Sequence, residues 1–159
     1  MIQQGSALWQ YLSPEMQRLA GDGQLLIDDR KLHPNERLSD YSYLVFPFAK
    51  LYEGFLKQLF RDLGIIDEAE FTSDHFRIGK VLSPNLAQRL GRKSAWRQIE
   101  KRFGRDLADR LWHAWKEGRN LVFHYFPHNY RALTFEQAAA AVSLITQTMN
   151  QAVEETKVA

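Results

Sequence analysis

The sequence contains no cysteine. Disulfides, a thiolate nucleophile and cysteine-ligated zinc or iron–sulfur sites are therefore excluded. Long apolar runs are also missing, because no stretch approaches the roughly 18 residues that a membrane-spanning helix needs. The first residues, MIQQGSALWQYL, lack the basic and apolar segments of a signal peptide. These absences predict a cytoplasmic protein with no membrane partner.

The composition is that of an ordinary globular protein. Apolar residues make up 45% of the 159 positions and charged residues 25%, which is typical of a chain that buries one hydrophobic core. No repeat or linker divides the sequence. We therefore expect a single domain over residues 1–159, with its helical core at about 39–153.

Helical periodicity dominates the sequence. Apolar residues recur at three- and four-residue spacing over residues 39–63, 94–103 and 105–126. The pattern returns after Thr134, where the run TFEQ has the residues of a capping box. Pro127 should end the third of these helices. Tryptophans on the apolar stripes are expected to pack in the core, namely Trp96, Trp112 and Trp115. The whole pattern predicts an all-α helical bundle.

The N-terminal region has a weaker pattern. Ser13, Pro14 and Glu15 are typical of a helix start, and Gly21 is expected to end this helix. The polar, turn-rich residues 21–38 predict a loop with one short strand at residues 24–27.

Glu53 is unusual within the predicted helix over residues 39–63. It lies midway between Phe46 and Phe60, seven residues from each, on a side of the helix that is otherwise apolar. A carboxylate in such a place is either paired or functional. The candidate partners are Lys50, Lys57 and Arg119. Pro47, in the same segment, should kink the helix or mark its start.

Positive charge is concentrated between Gln88 and Arg105. This stretch has seven cations and one anion, although the net charge of the chain is only +2. Three of the cations recur every four residues and form one stripe beside the helix over residues 94–103: Lys93, Arg97 and Lys101. The stripe predicts either a solvated helix face or a surface that binds RNA.

Arg119, Asn120 and His124 combine residue types that suit phosphate chemistry. On a continuous helix, Asn120 and His124 lie about 40° apart on one face, which His113 and Glu117 share. The long side chain of Arg119 can bring its guanidinium near the imidazole. A permanent cation beside a group that titrates near neutrality suits a reaction in which a proton moves while negative charge builds on a phosphate. Cleavage of RNA by its own 2′-hydroxyl is such a reaction.

The run Arg119-Asn120-x-x-x-His124 resembles the signature of the HEPN superfamily, in which an arginine and a polar residue precede a histidine by a few positions. The run YEGFLK at residues 52–57 is similar to a helix in the C-terminal domain of RNase LS-type toxins of bacterial toxin–antitoxin systems. In that family, a glutamate at the position of Glu53 joins the arginine and the histidine. The resemblance covers about residues 39–153, and those toxins carry additional N-terminal domains that this sequence does not contain.

This resemblance implies a HEPN-like bundle that acts as a metal-independent endoribonuclease, the toxin of a toxin–antitoxin or phage-defence system. His124 would act as a general acid or base, and Arg119 would stabilise the charge on the phosphate. Asn120 would position the phosphate or the histidine, and Glu53 would orient these groups. The family usually acts as a homodimer in which two copies of the motif face one cleft. The alternative is a non-catalytic interaction module, bound by an antitoxin or another partner protein.

No metal and no cofactor are expected. His113 and His128 are the histidines that could join His124 in a metal site. Pro127 interrupts the predicted helix between His124 and His128, and no carboxylate lies at ligand spacing from them.

Overall fold

A computed structural model of the chain describes residues 2–124 and 132–158. Within these ranges the regular structure is helical and contains no strand, so the predicted all-α class is confirmed. None of the helices in the described ranges combines the length and the apolar character needed to cross a membrane. Pro127 and His128, which entered the predictions above, lie outside the described residues.

The described residues form the following α-helices in chain order: α1 (Ala7–Tyr11), α2 (Pro14–Leu32), α3 (Ser42–Asp62), α4 (Glu68–Thr72), α5 (Ile78–Val81), α6 (Ala87–Leu90), α7 (Ala95–Phe103), α8 (Arg105–Trp115) and α9 (Phe135–Thr156). Short 3-10 turns at Pro84–Leu86 and Gly91–Lys93 flank α6. The long helices α2, α3 and α9 pack side by side, and α8 packs between α7 and α9.

Helix α3 lies at the centre of the core. Of the apolar stripe predicted for it, five residues are buried and Leu63 is half-buried; the buried five are Leu44, Phe48, Leu51, Phe55 and Leu59. The fully buried Tyr52 donates a hydrogen bond from its hydroxyl to the carbonyl oxygen of Leu111 at 2.9 Å, which joins α3 to α8. Burial also raises the pKa of this phenol well above its usual value. Glu53, the next residue, is therefore carried by a firmly packed helix.

The start of α3 differs in detail from the prediction. The helix begins at Ser42 and continues through Pro47, so the proline lies inside the helix and does not mark its start. Phe60 is fully buried, whereas Phe46 is 56% exposed. The apolar side of the helix that contains Glu53 is therefore only partly covered by the rest of the chain.

The prediction for the N-terminal region was right about the start of a helix and wrong about its end. The side chain of Ser13 caps α2 by accepting a hydrogen bond from the backbone N–H of Met16. The helix then continues beyond Gly21 to Leu32, through the residues for which a loop and a strand at 24–27 were predicted.

Close packing against α3 explains the glycine at position 23 of α2. The buried face of α2 consists of Ala20, Gly23 and Ile27. A Cβ atom at Gly23 would lie 2.4 Å from a ring carbon of Phe48, so only glycine allows the two helices to approach this closely. The contact stabilises a segment whose own helix propensity is low.

Helices α7 and α9 begin where the sequence predicted. Ser94 accepts a hydrogen bond from the backbone N–H of Arg97 at the start of α7. Thr134 and Gln137 form the predicted capping box of α9. The tryptophans also lie in the core as expected, with Trp96 and Trp115 buried and Trp112 half-buried.

The predicted helix over residues 105–126 is shorter in the structure. Helix α8 ends at Trp115, and the chain continues as one wide π-helical turn, Lys116–Asn120. In this turn the backbone N–H of Leu121 donates to the carbonyl oxygen of Lys116, five residues earlier, at 2.9 Å. Residues 121–124 are not helical. The prediction that one continuous helix carries both Arg119 and His124 is therefore wrong.

Candidate active site

The π-helical turn Lys116–Asn120 presents two of the three motif residues, Arg119 and Asn120. The turn packs closely against α9. A Cβ atom at Gly118 would lie 2.8 Å from Cγ1 of the fully buried Ile145, which shows how near the two elements are. Wide turns of this type recur at functional sites in proteins, because they change the direction of the side chains that follow.

Arg119 is paired with Glu53. Nη2 of its guanidinium lies 3.0 Å from Oε2 of Glu53, and the side chains of Arg119 and Glu53 are 33% and 38% exposed, respectively. The guanidinium carbon also lies 4.9 Å from the centre of the Trp115 ring. Of the three cations predicted as possible partners of Glu53, Arg119 forms the ion pair. The ammonium group of Lys57 instead donates to the carbonyl oxygens of Phe71 and Ser73.

Asn120 and His124 are also in contact, although they do not share an α-helix. Nε2 of the imidazole lies 3.1 Å from Oδ1 of the Asn120 side chain. Because an amide oxygen only accepts, Nε2 donates this hydrogen bond when it carries a hydrogen, and the contact helps to orient the ring. His124 itself is exposed to solvent, which leaves it accessible to a large substrate.

A cleft with a volume of about 330 Å³ opens at the Glu53–Arg119 pair. One wall consists of Glu53, Trp115, Arg119 and Asn120, and the other of residues 76–80, around the start of α5. Of the residues that the structure describes, three cations and one carboxylate line the cleft, because Arg77 and Lys80 join Arg119 and Glu53. The positive balance suits a phosphate group.

Arg77 and Lys80 were not among the residues that the sequence predicted for the site. Their only local signal is the short run RIGK, in which two cations flank Gly79. Gly79 lies against the indole of Trp115, since a Cβ atom there would be 2.8 Å from Nε1. The close approach of α5 to α8 brings the two cations to the cleft, and no spacing along the chain could have indicated it.

The three residues of the basic stripe do not share one groove. Arg97 and Lys101 line a groove of about 580 Å³ together with Arg92 and Arg102. Lys93 precedes the first turn of α7 and instead lines a neighbouring groove of about 550 Å³. We call the first of these the basic groove and the second the middle groove.

The other histidine considered on the sequence is separate from the cleft. His113 lines a groove between α8 and α9 with Asp109 and Gln147. It does not line the cleft at Arg119, although the sequence placed it on the same helix face. Among the described residues, no group of three or more histidine or acidic side chains is arranged to hold a metal ion.

Comparison with known proteins adds no relative to this description. The chain matches no family model, no curated protein and no solved structure.

Proposed function

We propose that this chain is a metal-independent endoribonuclease of the HEPN type, acting as the toxin of a toxin–antitoxin or phage-defence system. The observation that carries the proposal is the ion pair between Glu53 and Arg119, which joins residues 66 positions apart at the edge of a cleft. Three of the residues selected by the motif and its family, Glu53, Arg119 and Asn120, line that cleft, and Asn120 contacts the fourth, His124.

The proposed reaction is a transesterification within the RNA. The 2′-oxygen attacks the adjacent phosphorus and loses its proton to a base, while the bond from phosphorus to the 5′-oxygen breaks and that oxygen accepts a proton. The products are a 2′,3′-cyclic phosphate and a 5′-hydroxyl end. No atom changes its oxidation state, and no water is consumed in this transesterification.

Each residue of the cluster has a role in this reaction. His124 carries out one of the two proton transfers, and Asn120 holds its ring in orientation. Arg119 stabilises the negative charge that builds on the phosphate oxygens. Glu53 acts as a positioning residue, because its carboxylate holds the guanidinium of Arg119 beside the cleft.

We propose that the active species is a homodimer. The reaction needs both a base and an acid, and the motif supplies one imidazole per chain, so a second copy would provide the other. Phe46 and Phe123 support this arrangement, because they are 56% and 39% exposed. Their rings make an edge-to-face contact at 5.9 Å, and Phe123 directly precedes His124. A second copy would cover this aromatic surface next to the motif.

The test is RNA cleavage by the purified chain in the presence of EDTA. The wild-type protein should release fragments that end in a 2′,3′-cyclic phosphate, identified by mass spectrometry. His124→Ala should reduce the rate by at least roughly a hundredfold, the usual contribution of a general acid or base. The melting temperature should change little, because His124 is exposed.

His113→Ala is the matched control. His113 is also exposed, but it lines a different groove, so its replacement should leave cleavage unchanged. Fragments with a 3′-hydroxyl, or full activity of His124→Ala, would refute the proposed reaction. Absence of cleavage by a folded, dimeric wild-type protein would instead favour the interaction module that an antitoxin binds.

A further inference from the structure

The cleft at Arg119 is one of three grooves that follow one another on the surface. The cleft and the middle groove share Phe76 in their linings, and the middle groove and the basic groove share Arg92. Their volumes are about 330, 550 and 580 Å³ in this order. Together they form a track from the motif to α7.

The far end of the track is strongly cationic. In the part of the chain that the structure describes, the lining of the basic groove contains no carboxylate and has four cations: Arg92, Arg97, Lys101 and Arg102. The side-chain amide of Gln98 donates to the carbonyl oxygen of Arg92 at 2.9 Å, which ties the turn before α7 to the helix. Arg97 and Lys101 are one helical turn apart, so their Cα atoms are separated by about 6 Å along the axis.

The cations of the basic groove are available to a ligand. Within the described residues, no carboxylate lies within 4.0 Å of Arg92, Arg97 or Lys101. The guanidinium of Arg102 donates to the carbonyl oxygen of Leu63 at 2.7 Å and so keeps its charge at the groove. Four neighbouring cations that form no ion pair with any residue in ranges 2–124 and 132–158 make a site for a polyanion.

The middle groove contains two carboxylates, those of Asp67 and Glu70, but both are bound in the capping box of α4. Asp67 accepts from the backbone N–H of Glu70 at 2.8 Å, and Glu70 accepts from the backbone N–H of Asp67 at 3.3 Å. Arg92, Lys93 and His75 line the same groove. Phe76, half-buried where the middle groove meets the cleft, offers an aromatic surface of the kind on which bases stack.

We propose that this track binds single-stranded RNA, with the reacting phosphate in the cleft and further phosphates of the same strand in the basic groove. The inference rests on the proposed function, because the cleft supplies the point at which the strand reacts. Each groove has the volume of a small-molecule site, which admits a few nucleotides of a flexible strand. Duplex RNA is a wide, rigid helix that proteins contact across its outer surface, and it cannot follow three such grooves in succession.

The test is binding of single-stranded RNA that carries 2′-O-methyl groups and therefore cannot be cleaved. Oligonucleotides of two, four, eight and twelve nucleotides are compared by fluorescence anisotropy at several salt concentrations. Wild-type affinity should rise with length until the strand reaches the basic groove. Arg97→Glu/Lys101→Glu should weaken binding of the longest strand by at least about tenfold and leave the dinucleotide unaffected. The slope of log affinity against log salt should fall by about 1.4, or about 0.7 for each lost phosphate contact.

Arg37→Glu/Lys157→Glu is the matched control, because it changes the net charge equally at two exposed positions that line none of the three grooves. Equal weakening by both variants, an affinity independent of length, or tighter binding of duplex RNA would overturn the inference. The ligand is not cleavable, so this binding test does not depend on catalysis. If the chain binds in this manner but never cleaves RNA, the proposed function is refuted and the inference about the track stands.

Discussion

The ion pair between Glu53 and Arg119 orients a side chain more than it stabilises the fold. Both side chains are about one-third exposed, and ion pairs at such exposure contribute about 0–1 kcal/mol because water screens the charges. The arginine is long and flexible, so without the carboxylate its guanidinium would sample many positions. The pair, together with the ring of Trp115, holds the guanidinium in one of them.

Glu53→Gln should therefore reduce activity without unfolding the protein. We expect the turnover rate for RNA to fall roughly ten- to a hundredfold, since a neutral amide holds the guanidinium of Arg119 less firmly than a carboxylate does, while the melting temperature stays within a few degrees. Glu154→Gln is the control, an exposed glutamate on α9 that lines none of the described grooves. Unfolding of Glu53→Gln, or unchanged turnover, would show that the carboxylate does not position the arginine.

Asp40 joins the start of α3 to the residues that precede α9. Its carboxylate accepts hydrogen bonds from the backbone N–H of Leu133 and from the N–H and hydroxyl of Ser42, at 2.7 to 3.0 Å. Burial acts to raise the pKa of Asp40, but these hydrogen bonds outweigh it and lower the pKa below its ordinary value of 3.8. The charged form is therefore favoured by folding.

This lowered pKa predicts an acid-sensitive contribution to stability. Because the folded-state pKa of Asp40 is depressed, its contribution is present above the unfolded pKa and is lost as the pH falls below about 4. Asp40→Asn keeps an acceptor oxygen but cannot titrate, so its melting temperature should fall less steeply with acid than that of the wild type. Parallel curves for the two proteins in thermal melts from pH 6 to 3 would contradict the assignment.

At the scale of elements, the π-helical turn after α8 depends on a glycine. Gly118 is buried in this turn, and a Cβ atom there would meet Cγ1 and Cδ1 of Ile145 at 2.8 and 3.0 Å. Ile145 is fully buried and cannot move aside without disturbing the core. A side chain at Gly118 would therefore push the turn, with Arg119 and Asn120, away from α9.

Gly118→Ala should lower both stability and activity. We expect the free energy of unfolding in urea to decrease by about 1–3 kcal/mol, the usual cost of overpacking a core, with a loss of RNA cleavage. Gly21→Ala is the control within α2, because a Cβ atom there meets nothing within 4 Å. That variant should be stabilised by about 0.5–1 kcal/mol through its higher helix propensity. Equal effects of the two substitutions would mean that the contact with Ile145 is not restrictive.

The helices also differ in whether the sequence predicted their starts and ends correctly. The starts of α7 and α9 were correct, because Ser94 and Thr134 act within three residues of their hydrogen-bond partners. The continuation of α2 through Gly21 and Gly23 was not predicted, because the packing of Gly23 against Phe48 joins residues that are 25 positions apart. Local signals therefore indicated where helices start, and long-range packing decided where two of them end.

At the scale of the whole molecule, the exposed aromatic surface next to His124 is the proposed contact between two copies. Phe46→Ser should leave each chain folded, because the side chain is 56% exposed, but it should shift the protein to monomers in sedimentation and reduce cleavage in parallel. Leu32→Ser is the matched control, a 77% exposed apolar residue at the end of α2. It should change neither property.

If residues of both chains form one composite site, a second prediction follows for the dimer. Mixing inactive His124→Ala chains with wild-type chains should reduce the activity by more than dilution, because mixed dimers would have one imidazole instead of two. Full activity from a monomer, at concentrations where sedimentation detects no dimer, would exclude the composite site.

The sequence by itself determined the helical class and the starts of α2, α7, α8 and α9, and it supplied the candidate cluster as a prediction, because periodicity and capping act over a few residues. Tertiary structure alone decided that Glu53 pairs with Arg119, that Arg77 and Lys80 join the cleft, and that Lys93 lies apart from Arg97 and Lys101. These relations connect residues on different elements. They are fixed by how α3, α5, α8 and α9 pack, and above all by the close approaches at Gly79 and Gly118, which no spacing along the chain encodes.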